Sequence, residues 1–87
     1  MRMLFEWDAG KARQNLRKHR VNFDEAPTVV SDDYAITIAD VAHSHREDRL
    51  IIIGTSHKNR LLVVAYTERG KKIRLISASH SAGASTL

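Results

Sequence analysis

The side chains that could transfer protons or bind phosphate are spread over most of this sequence. Histidine and glutamate can act as acids or bases, and arginine can neutralise charge that grows on phosphoryl oxygens. The candidates for such chemistry are His19, Glu47, Arg49, Arg60 and Arg74. They come from separate segments, so a site built from them needs a fold that brings those segments together.

His19 falls at the end of a predicted helix. A helix C-terminus favours the charged imidazolium, which can serve as an acid or as a phosphate ligand. The same histidine can instead cap the helix or pack beside Leu16. The residue types alone favour this structural interpretation.

Glu47 and Arg49 are two residues apart at a predicted loop-to-strand junction, so in an extended chain they point the same way. Glu47 can then be a base and Arg49 a phosphate ligand. The alternative is a surface ion pair, which is common and contributes little to stability. The spacing alone favours the ion pair.

Four further candidates lie on or beside the last predicted strands, namely Arg60, Tyr66, Arg69 and Arg74. Such residues can converge on one face of an antiparallel sheet. Tyr66 can stack on a base of single-stranded RNA or be half-buried, as strand tyrosines often are. Arg74 lies between Ile73 and Leu75 and therefore takes the opposite face from them.

The first predicted helix has a basic surface formed by Lys11, Arg13, Arg17 and Lys18. This surface can follow an RNA backbone, meet an acidic protein or be solvated. His43 and His45 can face the same way on an extended segment, but no third ligand is apparent and the chain has no cysteine. We therefore predict no metal site and no cofactor.

The elements that must position these residues follow from periodicity. Leu4 opens a short strand, and Asp8 is a good N-cap for a helix over residues 9–19 with Ala9, Ala12, Leu16 and His19 on one face. Residues 22–25 resemble a capping box and predict a second short helix through Val30, with Pro27 near its first turn.

Period-two patterns then predict strands near residues 34–39, 49–55, 61–67 and 72–78. The order indicates an α+β fold, with two N-terminal helices packed on an antiparallel sheet of four to five strands. We expect one domain over residues 1–79 and a flexible C-terminal tail over residues 80–87.

The composition limits the classes of function. The chain has 87 residues and a net charge of +4, which favours an anionic partner such as nucleic acid or an acidic protein. Its apolar runs are too short to cross a bilayer, and Glu6 interrupts what a signal peptide would keep apolar. These features predict a cytoplasmic protein without membrane association.

The ordered set of motifs resembles the BrnT toxin family over about residues 5–78. The first part of the match includes Lys11 and comprises Phe5-Glu6-Trp7-Asp8, Asn15-Leu16-Arg17-Lys18-His19 and Val21-Asn22-Phe23-Asp24-Glu25-Ala26. The later part comprises His45-Arg46-Glu47-Asp48-Arg49, Ile53-Gly54, Arg60-Leu61-Leu62-Val63-Val64-Ala65-Tyr66-Thr67 and Ile73-Arg74-Leu75-Ile76-Ser77-Ala78. No single piece is specific, whereas the ordered set is.

The resemblance implies a RelE-like fold and a metal-independent endoribonuclease toxin. It also implies a BrnA-type antitoxin with a ribbon-helix-helix domain, which would bind operator DNA as part of a hetero-oligomer. The resemblance strengthens catalytic roles for His19, Glu47, Arg49, Arg60 and Arg74. Lys11, Lys18, Tyr66 and Arg69 are then the candidates for RNA binding.

The sequence departs from the family pattern at three places. Ser79 stands where the family usually has an arginine, and the charged C-terminal helix usual in the family is missing. Arg20 replaces a glycine that would supply a left-handed helix cap, so it must accept strain or end the helix differently. The alternative function is therefore a catalytically impaired module that still binds an antitoxin.

Overall fold

A computed structural model of the chain, which describes residues 4–40 and 48–81, has an α+β architecture. Its elements in chain order are β1 (Leu4–Glu6), α1 (Ala9–His19), a 3-10 helix (Ala26–Ser31), β2 (Ile36–Ala39), β3 (Arg49–Thr55), β4 (Leu61–Arg69) and β5 (Lys72–His80). The predicted fold class is confirmed. The second helix is, however, a 3-10 helix.

The five strands form one sheet in the order β1-β5-β4-β3-β2. The strand pairs from β2 to β5 are antiparallel, whereas β1 runs parallel to β5. The predicted antiparallel sheet is therefore present, and the N-terminal strand joins it at one edge. β1 covers only residues 72–74 of β5, so the rest of that strand needs another neighbour.

α1 has the predicted limits because both of its ends carry recognisable caps. The Asp8 carboxylate accepts a hydrogen bond from the Lys11 N–H at 2.9 Å. At the other end Arg20 has a φ of 59° and donates its N–H to the Leu16 carbonyl. Arg20 therefore takes the left-handed conformation that a glycine would adopt with less strain.

The predicted apolar face of α1 is correct only in part, because Ala12 packs against the core but other residues of that face do not. Leu16 is 45% exposed and His19 is also exposed, while Asn15 is the buried residue of the helix. The Asn15 carboxamide bonds to the main chain of Val21 and Ala78. α1 thus provides hydrogen-bonding partners for a part of β5 that lies beyond the residues paired with β1.

The predicted capping box at residues 22–25 is also wrong. Asn22 does accept a hydrogen bond from a nearby main-chain N–H, that of Asp24. Glu25 does not reach back to residue 22, because its side chain is buried and bonded to Arg60 and Ser56. The 3-10 helix begins directly after it, with Pro27 in its first turn as predicted.

The two faces of the sheet differ in what covers them. The inner face packs against Phe23 and the 3-10 helix, and its buried residues include Ile52, Leu62, Val64, Ile73, Leu75 and Ala78. We call the opposite face the outer face. Since strand residues alternate, the outer face receives the residues between these ones.

A β-bulge in β5 changes the alternation. Ala65 is paired with Ser77 and Tyr66 with Leu75, so Ile76 is the extra residue on β5. Beyond the bulge, Ala78 lies on the inner face and Ser77 and Ser79 on the outer face. β5 continues to His80, two residues past its predicted end, and the Ser81 N–H donates to the Leu61 carbonyl.

Candidate functional site

A row of polar residues crosses the outer face from β1 to β3. Glu6 is paired with Arg74, Arg74 with Thr67, and Thr67 with Arg49. We call these four residues the outer row. Because directly paired side chains lie on one face about 5 Å apart, Arg49 and Arg74 flank Thr67 from neighbouring strands.

Arg74 is held in the outer row by Glu6. Its Nη1 lies 3.2 Å from Glu6 Oε2, and Lys72 Nζ lies 3.8 Å from the other carboxylate oxygen. All three side chains are partly exposed, so the pairs contribute little stability. Their effect is to orient Arg74 while leaving local positive charge in excess on this part of the face.

A groove of about 230 Å³ lies where α1 packs on β5. It is lined by Lys11, Gln14, Asn15, Lys18, His19, Ile76 and Ser77. The buried Asn15 fixes α1 against the strand, and the exposed cationic side chains surround it on the helix surface. The structure therefore brings together three sequence candidates, Lys11, Lys18 and His19.

Ser77 connects the groove with the outer face. It lines the groove, and its pairing with Ala65 places it on the same face as Arg74. Ser79 takes the same face, paired with Val63. Arg74, the groove residue Ser77 and the family's arginine position at Ser79 thus follow one another along β5.

Arg60 is at the opposite end of the β3–β4 hairpin from the outer row. Residues 60 and 67 are seven residues apart along β4, which corresponds to about 23 Å of strand. Arg60 Nε donates to Glu25 Oε2 at 2.9 Å, Nη2 bonds to Oε1, and Nη1 donates to the Arg20 carbonyl at 3.5 Å. The structure does not bring Arg60 to the other candidates.

The Glu25 carboxylate is the buried centre of this contact. Its side chain is 1% exposed against 30% for Arg60, and Ser56 Oγ also donates to it. Hydrogen bonding from Arg60 lowers the pKa of Glu25 to about 2, although burial acts in the opposite direction. Glu25 in turn raises the pKa of Arg60, so both groups stay charged.

Tyr66 faces the inner side of the sheet, away from Arg49 and Arg74. It is half-buried and lines a cavity of about 270 Å³ together with Phe5, Val64 and Leu75. Burial raises the pKa of its phenol, with Glu68 adding to the effect. Arg69 is exposed at the end of β4, paired with Lys72 near the outer row.

Three sequence candidates lie outside the described residues. Glu47, His43 and His45 belong to residues 41–47, so the predicted pairing of Glu47 with Arg49 stays a prediction. Arg49 itself begins β3 and is partly buried. Among residues 4–40 and 48–81, no group of three His, Cys, Asp or Glu side chains could hold a metal ion.

Sequence reasoning missed Glu6, Asn15, Glu25 and Thr67. A signal for Thr67 was available, because strand alternation places it on the same face as Arg69. No comparable signal pointed to Glu25, whose partner Arg60 is 35 residues away in the chain. Within the described part of the chain, no helix is long and apolar enough to cross a membrane.

Comparison with known proteins gives one family and one fold. The model of a family described as the ribonuclease toxin BrnT of a type II toxin-antitoxin system matches residues 7–82. The crystal structure of the Brucella abortus ribonuclease toxin BrnT is similar with a TM-score of 0.71 and 21% identity, covering 93% of this chain and 99% of that one. A search among curated proteins gave no match.

Proposed function

Because the chain belongs to the BrnT family of ribonuclease toxins of type II toxin-antitoxin systems, we propose that it is a metal-independent endoribonuclease. By cleaving RNA in the cytoplasm it would inhibit translation and growth. The observation that carries this proposal is the outer row. Its register places Arg49 and Arg74 on one face, on either side of a single strand.

The chemistry requires few protein groups. The ribose 2′-oxygen attacks the adjacent phosphorus, its proton passes to a base, and the 5′-oxygen leaves after taking a proton from an acid. Arg49 and Arg74 would neutralise the charge that grows on the phosphoryl oxygens. Glu47 is our candidate for the base, because it precedes Arg49 by two residues.

His19 is our candidate for the acid. It ends α1 in the groove on β5, and Ser77 places that groove next to the outer face. Lys11 and Lys18 would bind phosphates that flank the scissile one, with Arg69 extending the basic surface at the end of β4. Arg60 and Tyr66 point away from this surface and would support the fold.

The partner we propose is a BrnA-type antitoxin, which membership of a type II system supports. The outer face offers apolar surface for such a protein, since Ile36 is 61% and Ile38 48% exposed on β2. Burying them would remove apolar area from water and stabilise the complex. The ribbon-helix-helix domain of the antitoxin would then bring a hetero-oligomer to operator DNA.

One observation favours a second candidate function, an antitoxin-binding module with impaired catalysis. Ser79 occupies the outer face where the family pattern has an arginine. A missing guanidinium at this place would cost about 3 kcal/mol if it contacted the transition state. The scaffold and the apolar surface would be kept.

The test is RNA cleavage by the purified protein in the presence of a chelator. We expect cleavage, and a loss of about tenfold or more for Arg49→Ala, Arg74→Ala and Glu47→Gln. Arg13→Ala is the matched control, because Arg13 is an exposed cation of α1 that does not line the groove. If RNA stays intact at micromolar protein concentration and the protein still binds the antitoxin, the antitoxin-binding module with impaired catalysis is the function that remains.

A further inference from the structure

Among the described residues, Thr67 is the one member of the outer row whose side-chain polar atom has no hydrogen-bond partner. Its side chain is 1% exposed, and among the described residues no hydrogen-bonding group contacts its buried Oγ1. A buried hydroxyl without a partner destabilises a fold, because it has lost its hydrogen bonds to water and gained none in return. Valine has nearly the same shape and would avoid this cost.

Thr67 is paired with a cationic residue on each of its two neighbouring strands. Paired with Arg49 on one side and Arg74 on the other, it lies on the sheet face opposite to the 3-10 helix. Each guanidinium carries five N–H donors, so each arginine can keep an existing partner and still bind an oxyanion. Glu6 engages Nη1 of Arg74 and thereby fixes the direction of that side chain.

We propose that Arg49, Thr67 and Arg74 form a phosphate subsite in which the Thr67 hydroxyl donates a hydrogen bond to a phosphoryl oxygen. The two guanidinium groups approach the anion from neighbouring strands. Because the Thr67 side chain is only 1% exposed, the anion reaches its hydroxyl when a side chain that covers it moves aside. The ligand class is a phosphate monoester or diester. In RNA this would be a backbone phosphate, which rests on the proposed ribonuclease function.

A phosphate subsite explains why the fold keeps a destabilising hydroxyl at position 67. Without an anion, Thr67 Oγ1 has lost water and gained no partner within the described residues. With an anion it makes a hydrogen bond to a charged acceptor, which is stronger than a neutral one. Binding of phosphate thus satisfies a group that folding leaves unsatisfied.

The test compares Thr67→Val, which removes the hydroxyl and keeps the shape, with Thr67→Ser, which keeps the hydroxyl. Thr55→Val is the control, because Thr55 is an exposed threonine of β3 that lies on the same face of the sheet as Thr67. The probe is inorganic phosphate, read out as the increase in the unfolding temperature and by phosphorus NMR line broadening. We expect phosphate affinity to fall about tenfold in Thr67→Val and to stay near the wild-type value in the other two variants.

Two results would overturn the proposal. One is a Thr67→Val protein that binds phosphate as the wild type does. The other is a Thr67→Val protein that unfolds at clearly lower denaturant concentration without phosphate, because its hydroxyl would then have a partner inside the fold. An unchanged or higher midpoint supports the subsite.

RNA cleavage separates this proposal from the proposed function. If Thr67→Val cleaves RNA at the wild-type rate, the subsite is wrong and the ribonuclease stands. If phosphate binding depends on Thr67 while the wild type leaves RNA intact, the subsite stands and the ribonuclease is wrong. Loss of both cleavage and phosphate binding in Thr67→Val, with rescue by Thr67→Ser, supports both.

Discussion

The side chain of Asn15 pairs with the main chain of Ala78 as a neighbouring strand would. Its Nδ2 donates to the Ala78 carbonyl at 2.7 Å, and its Oδ1 accepts from the Ala78 N–H at 3.0 Å. The same Nδ2 donates to the Val21 carbonyl at 3.0 Å. One carboxamide therefore hydrogen-bonds both main-chain groups of Ala78 in β5. It also fixes α1 and the chain segment that follows α1.

We expect Asn15→Ala to lower the free energy of unfolding by about 3 kcal/mol, because it leaves buried main-chain groups without partners. Gln14→Ala is the control. Gln14 is an exposed neighbour on the same helix, and its loss should change stability by about 0.5 kcal/mol or less. Denaturant titration of both variants measures the difference, and equal midpoints would contradict the role given to Asn15.

Arg20→Gly should stabilise the protein by about 1 kcal/mol. Arg20 has a φ of 59°, which a glycine adopts without the strain caused by a Cβ atom. Its main-chain bonds would be kept, since both its N–H and its carbonyl remain.

The control for this change is Arg17→Gly, in the regular part of α1. There a glycine should destabilise the protein by about 1 kcal/mol. Urea unfolding midpoints should therefore move in opposite directions for the two substitutions. A decrease in both would show that the Arg20 side chain matters more than its backbone conformation.

Glu25 should make the protein sensitive to acid. Its pKa is lowered from 4.5 to about 2, so its contribution to stability is present above pH 4.5 and is lost as the pH falls towards 2. A shift of this size corresponds to about 3 kcal/mol. We expect the free energy of unfolding to fall steeply with pH in that window.

Glu25→Gln should flatten the pH dependence while lowering stability at neutral pH, because Arg60 would lose a charged partner. Glu68→Gln removes an exposed carboxylate and serves as the control that keeps the steep dependence. Stability measured by denaturant unfolding between pH 2 and pH 7 checks this. The role of the ion pair is rejected if the Glu25→Gln and wild-type curves are parallel.

Ser79→Arg should increase RNA cleavage by about tenfold or more. The new guanidinium would lie on the outer face of β5, the same face as Arg74 and Ser77, and could add a contact to the transition state. Ser31→Arg adds the same charge to an exposed residue of the 3-10 helix, across the sheet. Equal cleavage by the two variants would mean that net charge alone is responsible.

Local signals predicted much of this fold correctly. The start of α1 follows from Asp8 and its extent from the helical periodicity up to His19, and the hairpin of β3 and β4 follows from two apolar runs around a polar loop. Such features depend on neighbouring residues, and so periodicity and capping rules reveal them. The position of Arg74 on the face opposite Ile73 and Leu75 was predictable for the same reason.

The errors arose where a distant partner decided the outcome. Asn15 replaced Leu16 as the buried residue of α1, because the uncovered main chain of Ala78 needed hydrogen bonds. Glu25 left its expected capping position because Arg60 binds it inside the fold. The bulge at Ile76 moved Ser79 to the outer face, and strict alternation counted from Ile73 does not reveal such a shift.

Gly54 of β3 limits how this family member can vary. A Cβ atom there would come within 2.9 Å of both Val29 and Ala35, so the 3-10 helix and the residue before β2 lie almost directly on the strand backbone. A mutation at position 54 would push away the segment that also carries Glu25. Position 54 can therefore accept a side chain only if Val29 and Ala35 give way, either by a shift of their segment or by smaller side chains.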